Sequence, residues 1–146
     1  MDPEFYVVLV VDDDAGTREI IAIMREASGF QVLQAANGLE AVKLLEGAPK
    51  PDLILLDLAM PVMDGMSFRR VQLRHATAAE IPVIVVTGSE THQLSQMKAS
   101  DVFKKPIAPA ELIEQINKLL SSVPKHNDEP PRIEAVGRTG FGRLAR

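Results

Sequence analysis

Short, unbroken apolar runs recur along the chain, from Tyr6 to Val11, from Asp52 to Leu56 and from Pro82 to Val86. Continuous rather than alternating runs of this kind suit strands covered on both faces. Gln31 to Ala35 reads as a further, shorter strand. Between the runs the apolar spacing becomes helical. Ile20, Met24 and Ala27 fall on one side of a helix from Ala15 to Ser28, which Gly29 stops. Asn37 can cap a second helix reaching Glu46, with Glu40 three residues on as in a capping box, and Gly47, Pro49 and Pro51 end it. A third helical stretch lies around Ser67 to His75, and a weaker helix and a strand follow up to Phe103. The last helix starts at about Pro109 and carries Leu112, Ile113, Ile116, Leu119 and Leu120. Five buried strands alternating with five helices predict an α/β fold, a doubly wound parallel sheet with helices on both faces, because right-handed crossovers lie against the sheet. Ligands in such folds sit beyond the carboxyl ends of the strands.

Composition narrows the picture. The 146 residues suit one domain, and 46 % apolar with 25 % charged residues is ordinary for a chain with a packed core. Met1-Asp2-Pro3-Glu4-Phe5 reads as a cloning scar outside the fold, the domain as residues 6–123, and residues 124–146 as a flexible tail. No run is long enough to cross a bilayer and no secretory pattern opens the chain, so a cytoplasmic address is expected. The absence of cysteine excludes disulfides and thiolate metal sites. A net charge of -4 argues against a nucleic-acid surface, and the scattered arginines of the tail read as a solvated extension. Protein or small-anion partners fit better.

The polar residues at the strand ends carry the candidate chemistry. Asp12, Asp13 and Asp14 follow the first strand and Asp57 follows the third, so the fold brings them to one edge. Carboxylates so close repel one another unless a divalent cation neutralises them. Magnesium suits an all-oxygen donor set that leaves room for phosphate, whereas zinc would want cysteine or clustered histidine. Thr87 ends the fourth strand and Lys105 follows the fifth. A carboxylate nucleophile, a cation, a hydroxyl and an ammonium are the parts a phosphoryl acceptor needs. Each has a plainer reading alone: Asp57 as a loop cap, Asp14 as a first-turn acid, Gly65 as a turn, Met60 and Met63 as packing. His75, His92 and His126 are isolated and read as surface residues.

The segments Val10-Val11-Asp12-Asp13-Asp14, Asp57-Leu58-Ala59-Met60-Pro61-Val62-Met63-Asp64-Gly65, Val86-Thr87-Gly88 and Lys104-Lys105-Pro106 resemble the response-regulator receiver family in order and spacing, over roughly residues 6 to 121. The resemblance implies a CheY-like, flavodoxin-like sheet of order 2-1-3-4-5. It also implies phosphorylation of Asp57 by a histidine kinase or phosphotransfer protein with Mg2+, slow hydrolysis of the acyl phosphate, and switched binding of a protein target. By the same resemblance Asp13 binds the metal directly and Asp12 mainly through water, with Asp57 and the Ala59 carbonyl as further ligands. Thr87 and Lys105 hold phosphoryl oxygens, and the Lys105-Pro106 bond is cis. Apart from its own phosphoryl transfer, the chain is not expected to be an enzyme.

Two departures from the family pattern concern signalling. Val102 occupies the position usually held by Tyr or Phe, with Phe103 beside it on the opposite face of the strand. The stretch from Gly88 to Ser100 is about one helical turn shorter than the family's. The conformational change is therefore expected to be smaller or differently placed. Ala59 and Ser89, which flank the water path in this family, are both small. A pseudo-receiver that binds partners without phosphorylation is one alternative. A haloacid-dehalogenase-type phosphatase is another, disfavoured because Ala59 stands where that class needs a second aspartate.

Overall fold

The computed structural model describes residues 4–14, 17–27, 29–47, 49–88 and 97–126. Its strands are β1 (Tyr6–Val11), β2 (Phe30–Ala35), β3 (Leu53–Leu56), β4 (Val83–Thr87) and β5 (Asp101–Lys104). Between and after them come the helices α1 (Thr17–Glu26), α2 (Gly38–Leu45), α3 (Gly65–Leu73) and α4 (Pro109–Leu120). All strand pairs are parallel and their order is β2-β1-β3-β4-β5. The expected helix between β4 and β5 falls largely on residues outside those described, as do Ser89, His92 and the tail from residue 127.

The unbroken apolar runs become central strands because alternate residues enter two different cores. Val7, Leu9, Ile54, Leu56, Val83 and Val85 face one layer with Ala41, Leu44 and Phe68 from α2 and α3. Val8, Val10, Leu53, Leu55, Ile84 and Val86 face the other with Met24, Leu112, Ile116 and Leu120 from α1 and α4. Each large side chain so buried contributes about 1.5–3 kcal/mol, so the sheet is fixed from both sides. The β5 edge is less covered: Val102 is 37 % exposed, and Phe103, on the opposite face, packs into the second core.

Asn37 caps α2, its side chain accepting the Glu40 N–H at 2.9 Å. The returning Glu40 carboxylate accepts from Ala36 N–H, one residue earlier than a standard capping box would place it. Asp64 caps α3 in the same way through Ser67 N–H.

Two sequence expectations are corrected at the amino edge of the sheet. Phe5, assigned to a cloning scar, is buried in the first core and exchanges two backbone hydrogen bonds with His126, at 2.9 and 2.7 Å. His126, expected at the surface within a flexible tail, is partly buried. Its ring stacks on Phe5 with centroids 5.2 Å apart, and its Nε2 lies 3.0 Å from Asp52 Oδ2. The folded unit therefore includes Phe5 and His126, because this pairing gives both residues backbone and side-chain partners that neither neighbouring sequence reveals.

Candidate functional site

At the carboxyl edge the chain ends four strands, β1, β3, β4 and β5, with polar side chains. β1 stops at Asp12, whose N–H still donates to Ala35 of β2 at 3.0 Å, and β3 passes into Asp57, whose N–H donates to Val11 at 2.9 Å. Each carboxylate thus springs from a backbone held by a neighbouring strand, which gives it a fixed origin. One carboxylate oxygen from each of Asp12, Asp13 and Asp57 lies within 4.8 Å of the others. Asp57 is 5 % exposed, Asp13 is open to solvent, and the Asp12 side chain is almost covered.

Lys105 closes this cluster. Its Nζ lies 3.0 Å from Asp12 Oδ2, 3.4 Å from Asp14 Oδ2 and 3.6 Å from Asp57 Oδ2. The Lys105 N–H donates to the Thr87 carbonyl at 3.0 Å, so β4 and the residue after β5 are tied together at the site, and the Lys105-Pro106 bond is cis. Thr87 is buried at the end of β4. Ala59 stands two residues past Asp57, and its N–H makes a long contact of 3.4 Å to Asp57 Oδ1.

Burial, and then the charge of Asp12, push the Asp57 carboxyl above the usual range, against the opposing pull of Lys105 and two backbone N–H groups. For Lys105, burial opposes the charge, but the hydrogen bond and charge of Asp12, joined by Asp57 and Asp14, more than offset it, and its pKa rises. The two shifts agree with the distances, since the ammonium sits closer to Asp12 than to Asp57 and serves Asp57 less. The site thus holds an ionised lysine and more negative charge than that lysine neutralises. Among the described residues the cluster offers three carboxylates and no histidine or cysteine ligand, which fits a hard divalent cation of the magnesium kind.

Two residues bear on the site in ways the sequence did not disclose. Asp14, read as a first-turn acid, reaches Lys105, and its N–H donates to Asp12 Oδ1 at 2.7 Å. Gly65, read as a turn residue, is required by close approach. A Cβ there would lie 2.2 Å from the Asp57 carbonyl oxygen and 2.9 Å from Leu58 Cα. Gly65 N–H also donates to Leu58 at 3.0 Å, so the start of α3 is pressed against the backbone of the Asp57 loop. Met63 and Met60 pack against the first core, as packing residues do.

The model of the family described as "Response regulator receiver domain" matches residues 8–117. The chain belongs to this family. Receiver domains are signalling domains of two-component systems rather than enzymes in the ordinary sense, and they interact with histidine kinases or phosphotransfer proteins. The chain is 34 % identical over 134 residues to the phosphate regulon transcriptional regulatory protein PhoB of Pseudomonas aeruginosa, covering 89 % of this chain and 58 % of that protein. It therefore spans little more than half the length of that relative. It is also 35 % identical over 118 residues to Protein PilH of Pseudomonas aeruginosa, covering 78 % of this chain and 97 % of PilH. Among solved structures, the receiver domain of a sensor histidine kinase from Pseudomonas aeruginosa, with a magnesium ion coordinated in its active-site cleft, aligns at a TM-score of 0.70. Its sequence identity is 27 %, over 81 % of this chain and 99 % of that one. The doubly wound receiver fold and the two-component assignment expected from the sequence are both borne out. No helix among the described residues is long and apolar enough to cross a membrane.

Proposed function

We propose that Asp57 of this receiver is the phosphoacceptor and that the carboxyl edge assembled around it is the machinery of transfer. The observation that carries this reading is the convergence of Asp12, Asp13 and Asp57 with Lys105 at the ends of separate strands. One Asp57 oxygen attacks the phosphorus of a phosphohistidine in a partner kinase or phosphotransfer protein. The P–N bond breaks, its electron pair stays on the imidazole, and an acyl phosphate forms on Asp57. Asp13 directly, Asp12 mainly through water, Asp57 and the Ala59 carbonyl would hold a Mg2+ ion. When bound, that ion supplies charge neutralisation for the phosphoryl oxygens and the crowded carboxylates.

Lys105 pairs with one phosphoryl oxygen, for which it exchanges part of its present contact with Asp12 and Asp14, and the Thr87 hydroxyl donates to another. Both pulls act on backbone already joined by the Lys105 N–H to Thr87 bond, so β4 and β5 receive the signal together. Water then hydrolyses the acyl phosphate slowly and restores Asp57. The phosphorylated form differs in its affinity for a downstream protein.

The test is to incubate the protein with magnesium and a small acyl-phosphate donor, then weigh it intact beside Asp57→Asn. A single phosphate adduct, absent from the variant and slowly lost, is the expected result. Absence of any adduct overturns the reading in favour of a pseudo-receiver, and rapid multiple turnover overturns it in favour of a phosphatase.

A further inference from the structure

Arg69 lies on the side of α3 that turns into the core, where helical spacing calls for an apolar residue, and it is 6 % exposed. Its Nε donates to the Met97 carbonyl at 2.8 Å, Nη2 to the Lys98 carbonyl at 3.1 Å and Nη1 to Gln72 Oε1 at 2.7 Å. Gln72 is itself buried, and its amide nitrogen donates to the carbonyls of Ala78 and Ile81, each at 3.0 Å. Among the described residues, none of these bonds ends on a carboxylate. Burial lowers the Arg69 pKa, yet a guanidinium keeps its charge at any ordinary pH. A methionine or leucine would fill the space at lower desolvation cost. What it could not do is hold two consecutive carbonyls with one planar fork.

Those carbonyls mark a corner. Met97 is buried and Lys98 takes a φ of 52°. Ser100 N–H then donates to Val83 at 2.8 Å before β5 begins at Asp101. β5 delivers Lys105 to Asp57. The same connection starts after Thr87, which holds a phosphoryl oxygen under the function proposed above, with Gly88. One end of the connection therefore faces the chemistry, and the other is fastened to α3 through Arg69 and to Val83 at the start of β4.

We propose that Arg69 is a positioning residue that fixes the Met97–Ser100 corner. Phosphorylation then shifts Thr87, Gly88 and Lys105 at the carboxyl edge while the Met97–Ser100 corner stays in place. This rests on Asp57 being the phosphoacceptor. The corner is held by the fork of Arg69 and the amide of Gln72 together, because Gln72 orients the guanidinium from one side and is itself anchored on two carbonyls.

Amide chemical shifts and hydrogen exchange of the full chain, with and without magnesium and beryllofluoride, test the proposal in wild type, Arg69→Met and Arg69→Lys. In wild type, Gly88 and Lys105 amides shift on addition of the phosphoryl mimic, while Lys98, Ala99 and Ser100 do not. In Arg69→Met, exchange protection at Ser100 falls about tenfold or more, and the mimic-induced shifts spread to Lys98–Ser100. Arg69→Lys keeps the charge without the fork and falls between the two. A merely structural role would lower the melting temperature without changing how far the shifts spread. Shifts at Lys98–Ser100 as large as those at Gly88 in wild type would overturn the proposal, even if Arg69→Met did not fold. So would the wild-type pattern persisting in a folded Arg69→Met. If the mimic moved no amide near Asp57, the phosphoacceptor reading would fail instead, and protection at Ser100 without ligand would still decide the anchor.

Discussion

β3 carries an aspartate at each end, and the two live in opposite circumstances. Asp52, at the amino edge, accepts the Val7 N–H at 2.8 Å, returns its own N–H to the Val7 carbonyl at 2.7 Å and meets His126 at 3.0 Å. Asp57, at the carboxyl edge, is more deeply buried and meets the N–H groups of Ala59, at a long 3.4 Å, and Leu58, and a lysine at 3.6 Å, with Asp12 opposed to it. The first carboxylate is satisfied and joins three segments of chain. The second is pushed toward its neutral form by burial and by Asp12 despite its contacts, a condition in which a metal ion and a phosphoryl group both find work to do. Residue type and strand are the same, so the difference comes from what the neighbouring strands end in: a backbone amide and a returning histidine at one edge, further acids at the other.

Four substitutions sharpen or break this contrast. Gly65→Ala has the largest effect, because its Cβ would collide with the Asp57 carbonyl and Leu58 Cα, both of them backbone. It is expected to cost about 3 kcal/mol in denaturant unfolding and to abolish adduct formation in whatever protein remains folded. Asp52→Ala leaves the Val7 N–H and His126 without their partner and is expected to cost about 2 kcal/mol, with the phosphate adduct still formed. Loss of the adduct there would break the separation of the two edges. Asp57→Asn works in the other direction. Because the folded state raises the Asp57 pKa, the stability it gives is present below the unfolded carboxylate pKa and is lost as pH rises through the folded value. Without metal, Asp57→Asn is expected to be more stable at pH 7, by on the order of 1 kcal/mol. That gain shrinks to nothing below about pH 4, as thermal melts across pH would record. The smallest effect concerns Val62, a β-branched residue at φ 70° and 77 % exposed in the loop after Asp57. At the amino edge, positive φ falls to Gly29 and to the unbranched Lys98. Val62→Gly is expected to gain about 0.5–1 kcal/mol, read as a shift in denaturant midpoint.

The strands were legible because burial on two faces leaves unbroken apolar runs, and Asn37 announced α2 because its cap is a local interaction. The grouping of Asp12, Asp13, Asp57 and Lys105 followed from topology alone, since parallel strands bring like ends to one edge. What stayed hidden is non-local or made of backbone. Arg69 and Gln72 look like part of a solvated helix face until the carbonyls of Met97 and Ile81 are seen beneath them. Gly65 gives no sign of its role, since the atom it avoids is a main-chain oxygen eight positions earlier. Phe5 and His126, 121 positions apart in sequence, each lack any local feature that names the other.

That last pair has an architectural consequence. Since Phe5 and His126 bond side by side, the two ends of the described chain meet on the edge away from Asp57. The intervening β3 alone spans about 13 Å. That length of sheet separates the meeting point from the acidic ceiling at which a phosphodonor would arrive.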